Sequence, residues 1–332
     1  MTISEIAKMA GVSSATVSRY FNNGYLSEEK RKTIEKVVKK TGYQPSPQAQ
    51  MLRTRKTRMV GVVLPRIESS SIARIVAGIS AVMNRKKYKI VLANTENNPD
   101  MELDYMKVFD NKQVDGLILV ATVLTEEHYR MIRKLRIPIV VVGQRVEGVD
   151  SIYHDDYHAT CELTELMIQK GRTGLAYIAA IREDRAVGND RTNGYMDTVK
   201  AHGLTGAADR IVTAGFSIES GKKQMKQLLS EYPEIDAVIA ATDSMAVGAI
   251  QAVQAQGYRV PEDILVGGIG NSPFCEVITP TLTTVDYEYE DSGKQAARLI
   301  LKKMTGEETE RDTVHTSVQL GHRLIEREST GV

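Results

Sequence analysis

The chain of 332 residues has little cysteine, no long apolar run and almost no net charge. Its two cysteines, Cys161 and Cys275, lie far apart and outside any CxxC spacing, which excludes a disulfide scaffold and a thiolate zinc site. The first residues lack the basic and then apolar run of a signal peptide, and no stretch reaches about 18 uninterrupted apolar residues. These absences predict a soluble cytoplasmic protein with no membrane segment.

The formal net charge of +1 conceals an uneven distribution along the chain. Residues 1–58 contain 12 Lys+Arg and 4 Asp+Glu, whereas residues 59–332 contain 31 Lys+Arg and 38 Asp+Glu. The first segment therefore carries +8 and the remainder −7. A basic segment joined to a mildly acidic body is typical of a chain whose N-terminal part meets a polyanion.

The first 45 residues have the pattern of three short helices. Thr2 and Glu5 have the spacing of a capping box, and Ser13 and Ser27 are suited to cap the second and third helices. Two short helices joined by a tight turn that contains Gly11, followed by a third helix, predict a helix-turn-helix unit.

The second predicted helix carries small side chains and one arginine on its polar face. Such a helix can approach the base edges of a major groove closely, and arginine can contact a base or a phosphate there. From the pattern alone, a solvated three-helix domain without DNA remains the alternative. The residues of this face are Ser14, Ala15, Thr16, Ser18 and Arg19.

The segment TISEIAKMAGVSSATVSR, which begins at Thr2, closely resembles the N-terminal signature of the LacI/GalR family of bacterial repressors. The motif GYQPS from Gly42 continues the resemblance. It implies that double-stranded operator DNA is a partner, with base reading by Ser14 and Ala15. The residues that it implies at the DNA are Ser13, Ser14, Ala15, Thr16, Ser18, Arg19, Asn22 and Tyr43.

Residues 46–58 resemble the hinge helix and linker of the same family. The resemblance implies that this helix orders on operator DNA, where Leu52 wedges between base pairs and Ala49 and Arg53 also contact the duplex. An ordinary linker with an exposed leucine is the alternative from the residues alone.

From Met59 onward, short β-branched runs alternate with longer amphipathic stretches. The first such runs are 60–64, 89–92, 116–120 and 138–142. This alternation predicts parallel sheets with helices on both faces, in two α/β halves that enclose a ligand cleft.

The family resemblance implies a type I periplasmic-binding-protein-like fold, in which the chain crosses between two lobes three times. The expected fold class is an all-α helix-turn-helix headpiece followed by a two-lobe α/β effector domain. We predict a DNA-binding domain at 1–45, a hinge at 46–58 and an effector-binding and dimerisation domain at 59–332. The expected N-lobe comprises about 59–156 and 286–318, and the C-lobe about 157–285 and 319–332.

Catalytic motifs are missing from the body. There is no GxxxxGK[ST] loop, no HExxH and no GxSxG, and the glycine run that begins at Gly267 lacks the full dinucleotide-binding spacing. His154 and His158 are spaced as metal ligands could be, but they straddle a predicted strand-to-helix turn and are better explained as polar residues. We therefore expect a binding protein with no catalytic residues, no metal and no cofactor.

Residues at predicted strand ends are candidates for binding a small effector. Arg191 heads the family's R-x-x-G motif, and Phe216 matches a family aromatic residue that stacks on a ligand ring. From the residues alone, Arg191 could instead pair with a nearby acid, and Phe216 could belong to the core. The expected effector-binding residues are Ser69, Ser70, Arg145, Arg191, Phe216, Thr242, Asp243 and Asn271.

The sequence departs from the family pattern at two places. A segment that often contains an aspartate has Gly270 at that position, so Asn271 is the expected substitute as a hydroxyl acceptor. A loop that often carries an aromatic pair contains Ser69 and Ser70 instead. A polar mouth of this kind favours a hydroxylated ligand over a purine.

These features predict a homodimeric repressor of a carbohydrate-utilisation operon, whose operator affinity is changed by a sugar or sugar phosphate. The C-terminal residues carry no leucine-heptad tail, which favours a dimer over a tetramer. One alternative is a catabolite-control-type regulator with a phosphoprotein corepressor, which the blocks 94–100 and 112–116 resemble. A solute-binding protein of a transporter and an enzyme on the same fold are alternatives of other classes.

Overall fold

In the computed structural model of the protein, residues 1–22, 24–44, 56–111, 113–306 and 315–331 are described. The chain forms two compact units, Met1–Thr57 and Arg58–Val332. Among the described residues, no helix is both long and apolar enough to cross a membrane. The predicted hinge contacts lie outside the described residues; they are Ala49, Leu52 and Arg53.

The first unit contains the three predicted helices, α1 (Ile3–Met9), α2 (Ser14–Phe21) and α3 (Glu28–Thr41). Their inward faces form a small apolar core in which Ile6 and Ile34 are completely buried. The arrangement confirms the predicted three-helix unit.

Local capping explains where these helices begin. In the capping box, the Thr2 N–H donates to the Glu5 carboxylate at 2.7 Å and the Glu5 N–H donates to Thr2 Oγ1 at 3.3 Å. Ser27 occupies the N-cap position of α3 with an extended backbone, but its hydroxyl makes no capping hydrogen bond. Glu28 and Glu29 lie in the first turn of α3, where their negative charges interact favourably with the positive end of the helix dipole and stabilise the helix N-terminus instead.

The second unit has two lobes, each built on one sheet. The first sheet is entirely parallel, in the order β11-β5-β4-β3-β1-β2. Its strands are β1 (Met59–Leu64), β2 (Lys89–Asn94), β3 (Gly116–Val120), β4 (Ile139–Val142), β5 (Asp150–His154) and β11 (Ser317–Leu320). Its helices are α4 (Ser70–Arg85), α5 (Pro99–Asp110), α6 (Glu126–Lys134) and α12 (Tyr289–Thr305).

The second sheet repeats this arrangement, in the order β12-β10-β9-β8-β6-β7, and only the β10–β12 pair is antiparallel. Its strands are β6 (Leu175–Ala179), β7 (Ile211–Thr213), β8 (Ala237–Ala240), β9 (Leu265–Ile269), β10 (Thr283–Asp286) and β12 (Arg323–Ile325). Its helices are α7 (Asp156–Gln169), α8 (Arg191–Ala201), α9 (Ile218–Glu231), α10 (Asp243–Ala255) and α11 (Phe274–Val277), with a π-helical turn over Arg185–Asp190 before α8.

The chain crosses between the two lobes after β5, after β10 and after β11. The predicted two-lobe α/β fold with three crossings is therefore confirmed. Because each crossing leaves a strand at its carboxyl end, the two sheets present their carboxyl ends to the space between the lobes.

Glycines permit close helix packing in both lobes. A Cβ built on Gly78 of α4 would lie 2.0 Å from the carbonyl oxygen of Glu290 on α12, and one on Gly293 would lie 2.0 Å from that of Ile75. In the second lobe, a Cβ on Gly248 of α10 would meet a carbonyl of α9 at the same distance. These helix pairs can approach so closely only because a side chain is missing at the contact.

Candidate DNA-binding and effector sites

The polar face of α2 is open to solvent in the first unit. Val17 is completely buried and fixes the rotation of the helix, so that Ser14, Ala15 and Arg19 are exposed on the other side. Thr16 and Ser18 are half-buried, which leaves part of each side chain accessible. The face predicted to read DNA is therefore presented as a continuous small and polar surface with one cation.

Two of the predicted DNA-contact residues also shape the ends of α2. Ser13 Oγ accepts a hydrogen bond from the Thr16 N–H at 3.2 Å and lies 2.9 Å from Thr16 Oγ1. The exposed Asn22 is the C-cap residue, and its side-chain amide donates to the carbonyl oxygen of Ser18.

Tyr43 packs inside the first unit. Tyr43 is only 9% exposed, and its ring packs edge to face against the ring of Phe21 at a centroid distance of 5.7 Å. A three-helix unit with so small a core needs the apolar area of this ring. We assign Tyr43 a packing role, and its predicted contact with DNA stays a prediction.

A cavity of about 480 Å³ lies between the lobes of the second unit. Residues that follow the carboxyl ends of strands in both sheets line it, as expected for a ligand site in parallel α/β proteins. Six of the eight predicted effector-binding residues line this cavity; they are Ser69, Ser70, Arg191, Phe216, Thr242 and Asp243.

Arg191 reaches the cavity as one half of a buried ion pair. Its Nε donates to Asp156 Oδ1 at 2.7 Å, its Nη1 donates to the carbonyl oxygen of Ala241 at 2.5 Å, and the residue is 4% exposed. Burial opposes the charged form, but the attraction of Asp156 together with the effects of Tyr287 and Tyr289 outweighs it and keeps the pKa of Arg191 above its usual value. Arg191 therefore lines the cavity and is also paired with an acid.

Asp243 is buried at the N-terminus of α10 with both carboxylate oxygens occupied. Thr284 Oγ1 donates to Oδ1 at 2.5 Å, and the Ser272 N–H donates to Oδ2 at 2.7 Å. Burial raises the pKa of Asp243 despite these two hydrogen bonds. The carboxylate thus holds together the loops that line this side of the cavity.

Phe216 is covered by a cation from the opposite lobe. The Arg66 guanidinium lies 4.4 Å from the centroid of the Phe216 ring, and its Nη1 donates to the Phe216 carbonyl oxygen at 3.4 Å. Burial lowers the pKa of Arg66. A ligand ring that stacks on this side of Phe216 would have to displace Arg66.

Two predicted effector residues do not line the main cavity. Arg145 lines an adjoining, smaller pocket of about 280 Å³, which shares residues such as His154 with the main cavity. Asn271 has a left-handed backbone with φ of 45°, and its side-chain oxygen accepts a hydrogen bond from Arg327 at 3.0 Å. That contact holds its amide outside the cavity, so Asn271 does not supply the acceptor that is absent at Gly270.

The structure adds residues that the sequence reading missed, among them Arg66, Asp156, Asp184 and Tyr289. Arg66 follows β1, Asp156 follows β5 and Asp184 follows β6, each a few residues after the strand. The common signal is a charged residue just beyond a buried strand, because such positions lie at the ligand-binding edge of a parallel sheet.

Comparisons with known proteins cover both units. Residues 2–46 match the family described as bacterial regulatory proteins, lacI family, and residues 164–330 match a periplasmic binding protein-like domain. A sucrose operon repressor of Staphylococcus xylosus is 31% identical over 294 residues, which cover 89% of this chain and 91% of the relative. Catabolite control protein A of Priestia megaterium is 32% identical over 334 residues, with 99% of each chain covered.

The fold also matches a solved structure over its whole length. A complex of the transcriptional regulator CelR with cellobiose has a TM-score of 0.75 and 28% identity, with 99% of both chains covered. The matched proteins are transcription regulators, which confirms the prediction of a regulator rather than an enzyme. The chain belongs to the lacI family of bacterial regulatory proteins, whose N-terminal helices bind DNA.

Proposed function

We propose that the chain is a homodimeric repressor of a carbohydrate-utilisation operon and that a sugar or sugar phosphate between the lobes changes its operator affinity. One observation carries the proposal: the cavity is lined by both sheets, so a ligand inside it contacts both lobes at once. A ligand that binds one arrangement of the lobes more tightly shifts the population towards that arrangement.

The chemistry of the cavity supports a hydroxylated ligand. Serine hydroxyls at 69–71, the guanidinium groups of Arg66 and Arg191 and the carboxylate of Asp184 surround an apolar wall that includes Phe216. Such a mixture suits the polar rim and apolar face of a sugar ring. The name of the sucrose operon repressor and the cellobiose complex of CelR point the same way.

An exposed apolar surface on the first lobe supports the homodimer. Val91 and Leu92 lie on the edge strand β2, and Met101 and Val108 lie on α5, the next helix along the chain, with exposed fractions from 36% to 51%. Exposed apolar side chains on an unpaired edge strand are typical of protein–protein contacts.

A salt titration of DNA binding tests the proposal. We expect full-length protein to bind a duplex from its own upstream region, with an affinity that falls steeply as salt rises because phosphate contacts release counterions. Arg19→Ala should lose the preference for this duplex over a scrambled one, as measured by fluorescence anisotropy.

Lys36→Ala is the matched control, because it removes one exposed positive charge from α3 of the same unit. It should leave the sequence preference intact and reduce the salt slope by no more than about one, the effect of a single phosphate contact. Binding of wild-type protein that is independent of salt would contradict the proposed function.

A phosphoprotein corepressor is the second candidate, which the similarity to catabolite control protein A favours. In that case the phosphoprotein, rather than a sugar, would change operator affinity.

A further inference from the structure

Arg74 connects the two lobes at a place outside the cavity. It lies on α4 of the first lobe. Its Nη1 donates to the carbonyl oxygens of Gly270 at 3.1 Å and of Asn271 at 3.2 Å, and both residues follow β9 of the second lobe. Its Nη2 donates to Oδ1 of Asp286 at 3.0 Å, at the end of β10. One side chain of the first lobe thus binds three oxygens of the second lobe.

The two carbonyl acceptors of Arg74 belong to a loop with an unusual backbone. Gly270 has a φ of 136° and Asn271 a φ of 45°, and such positive values are uncommon outside glycine. The Asn271 N–H donates to Thr284 Oγ1 at 3.1 Å, and its side-chain oxygen accepts from Arg327 at 3.0 Å. A strained backbone persists where its surroundings determine it, and here the second lobe supplies those contacts. The loop therefore presents two fixed acceptors to one guanidinium nitrogen.

The first lobe supports Arg74 from the other side. Its guanidinium lies 5.3 Å from the centroid of the Tyr289 ring on α12, within the range of a cation–π attraction. The close contacts at Gly78 and Gly293 pack α4 against α12. A displacement of Arg74 would therefore act on both helices and not on one side chain alone.

Asp286 binds a second arginine, which offers an internal comparison. Arg323 Nη2 of β12 donates to Asp286 Oδ2 at 3.3 Å, but Arg323 belongs to the same lobe as Asp286. The side chain of Arg323 is 71% exposed and that of Arg74 is 30% exposed. Burial raises the pKa of Asp286, but hydrogen bonds from Arg74 and Glu288 and the nearby positive charges outweigh burial and hold the pKa below its usual value. Of the two ion pairs on this carboxylate, the one with Arg74 joins the lobes.

We propose that Arg74 and its three acceptors form an inter-lobe latch, which stabilises the arrangement of the lobes seen in the structure. A rotation of one lobe against the other must break these hydrogen bonds, because they end on the opposite lobe. Arg74 thus biases the regulator towards one arrangement before any effector binds. The inference rests on the proposed function, because it takes the arrangement of the lobes to set the operator affinity.

The test compares Arg74→Gln with Arg323→Gln in full-length protein, by fluorescence anisotropy of the upstream duplex without any added sugar. Both variants lose one positive charge beside Asp286, but Arg74→Gln alone removes a contact between the lobes. Arg74→Gln should change the duplex affinity by at least about fivefold, the lower end of typical allosteric couplings. Its salt slope should stay the same, because no phosphate contact is lost. Arg323→Gln should bind as the wild type does.

Hydrogen–deuterium exchange gives a second readout that does not depend on DNA. Loss of the latch should speed amide exchange by about threefold or more in both walls of the cavity, because the lobes separate more often. These walls are the segments 66–69 of the first lobe and 215–220 of the second. Arg74→Lys keeps the charge but replaces the planar fork by a single nitrogen, so it should give a smaller change in the same direction. This variant carries the test if Arg74→Gln does not fold.

The two readouts separate the latch from the proposed function. Faster exchange confined to the loop at 270–273 would show that Arg74 has a local role and would overturn the latch. The same exchange rates in Arg74→Gln as in Arg323→Gln, or an unchanged duplex affinity of Arg74→Gln, would also overturn it and leave the regulator intact. If exchange rises in both walls but the wild type shows no salt-dependent DNA binding, the proposed function fails and the contact between the lobes stands.

Discussion

At the scale of single residues, the Arg191–Asp156 pair shows how one side chain can have two roles. The sequence left open whether Arg191 contacts a ligand or pairs with an acid, and the structure shows the ion pair at the wall of the cavity. Both side chains are 5% exposed, so neither charge is solvated well enough to stand alone.

We therefore expect Arg191→Ala to destabilise the second unit as well as to affect ligand binding. Removing one partner of a buried ion pair leaves the other charge uncompensated, at a cost of about 3–5 kcal/mol in the free energy of unfolding. Urea unfolding followed by far-UV circular dichroism measures this loss.

The double variant Arg191→Ala with Asp156→Ala serves as the control. It removes both charges, so its loss of stability should be smaller than the sum of the two single losses. Additive losses would show that the two side chains do not stabilise one another.

The site could be predicted only in part, because a sequence pattern shows where a residue lies in the fold but not which other residues it contacts. Phe216 was assigned to the cavity by resemblance and Asp243 by its position just before a helix, and both residues line it. Nothing in the sequence shows that Arg66 covers Phe216, since the two residues are 150 positions apart. Asp184 was missed because only the three-dimensional fold shows that it lies at the wall of the cavity.

At the scale of elements, the α4–α12 contact depends on two glycines. A methyl group on Gly78 would lie against a backbone carbonyl that cannot rotate away, so α4 and α12 would have to separate. The gain in helix propensity from alanine, about 1 kcal/mol, is too small to offset this separation.

Gly78→Ala should therefore lower the free energy of unfolding of the second unit by about 2 kcal/mol. The chain contains no tryptophan, so circular dichroism or the fluorescence of an added dye is the appropriate measurement. Gly321→Ala is the matched control, because a Cβ there would have no neighbour within 4 Å. Equal stability of Gly78→Ala and the wild type would contradict the close-packing argument.

The long β-branched runs were predicted as strands, and β1, β3 and β4 confirm them. The strands β5, β7 and β10 were not predicted, because β7 has only three residues, and β5 and β10 combine Thr, Ser or Tyr with a terminal Asp or His. Their strand character comes from the sheets that they join rather than from their own residues.

At the scale of the whole molecule, the basic N-terminal segment and the acidic remainder of the chain have opposite electrostatic roles. The described residues show this division as separate compact units, the first of which exposes the polar face of α2. If ligand binding in the second unit changes DNA binding by the first, thermodynamic linkage makes the effect reciprocal.

We accordingly expect DNA to change the affinity for a sugar by the same factor as the sugar changes the affinity for DNA. The factor should lie between about 5 and 150, as is typical of allosteric regulators. Titration calorimetry of the sugar with and without saturating DNA gives one factor, and anisotropy of DNA with and without the sugar gives the other. Unequal factors would exclude a simple linkage between the two sites, and Phe216→Ala should reduce both factors together.

The strands β11 and β12 are separated by only two residues, yet they complete different sheets. During synthesis, neither sheet can be completed until the short segment that contains β11 and β12 has been made, although most of the first lobe is translated more than a hundred residues earlier. The first unit, whose contacts are all local in sequence, has no such delay. A ribosome-bound nascent chain would thus carry a folded first unit and two incomplete lobes, and the two lobes would be completed nearly simultaneously.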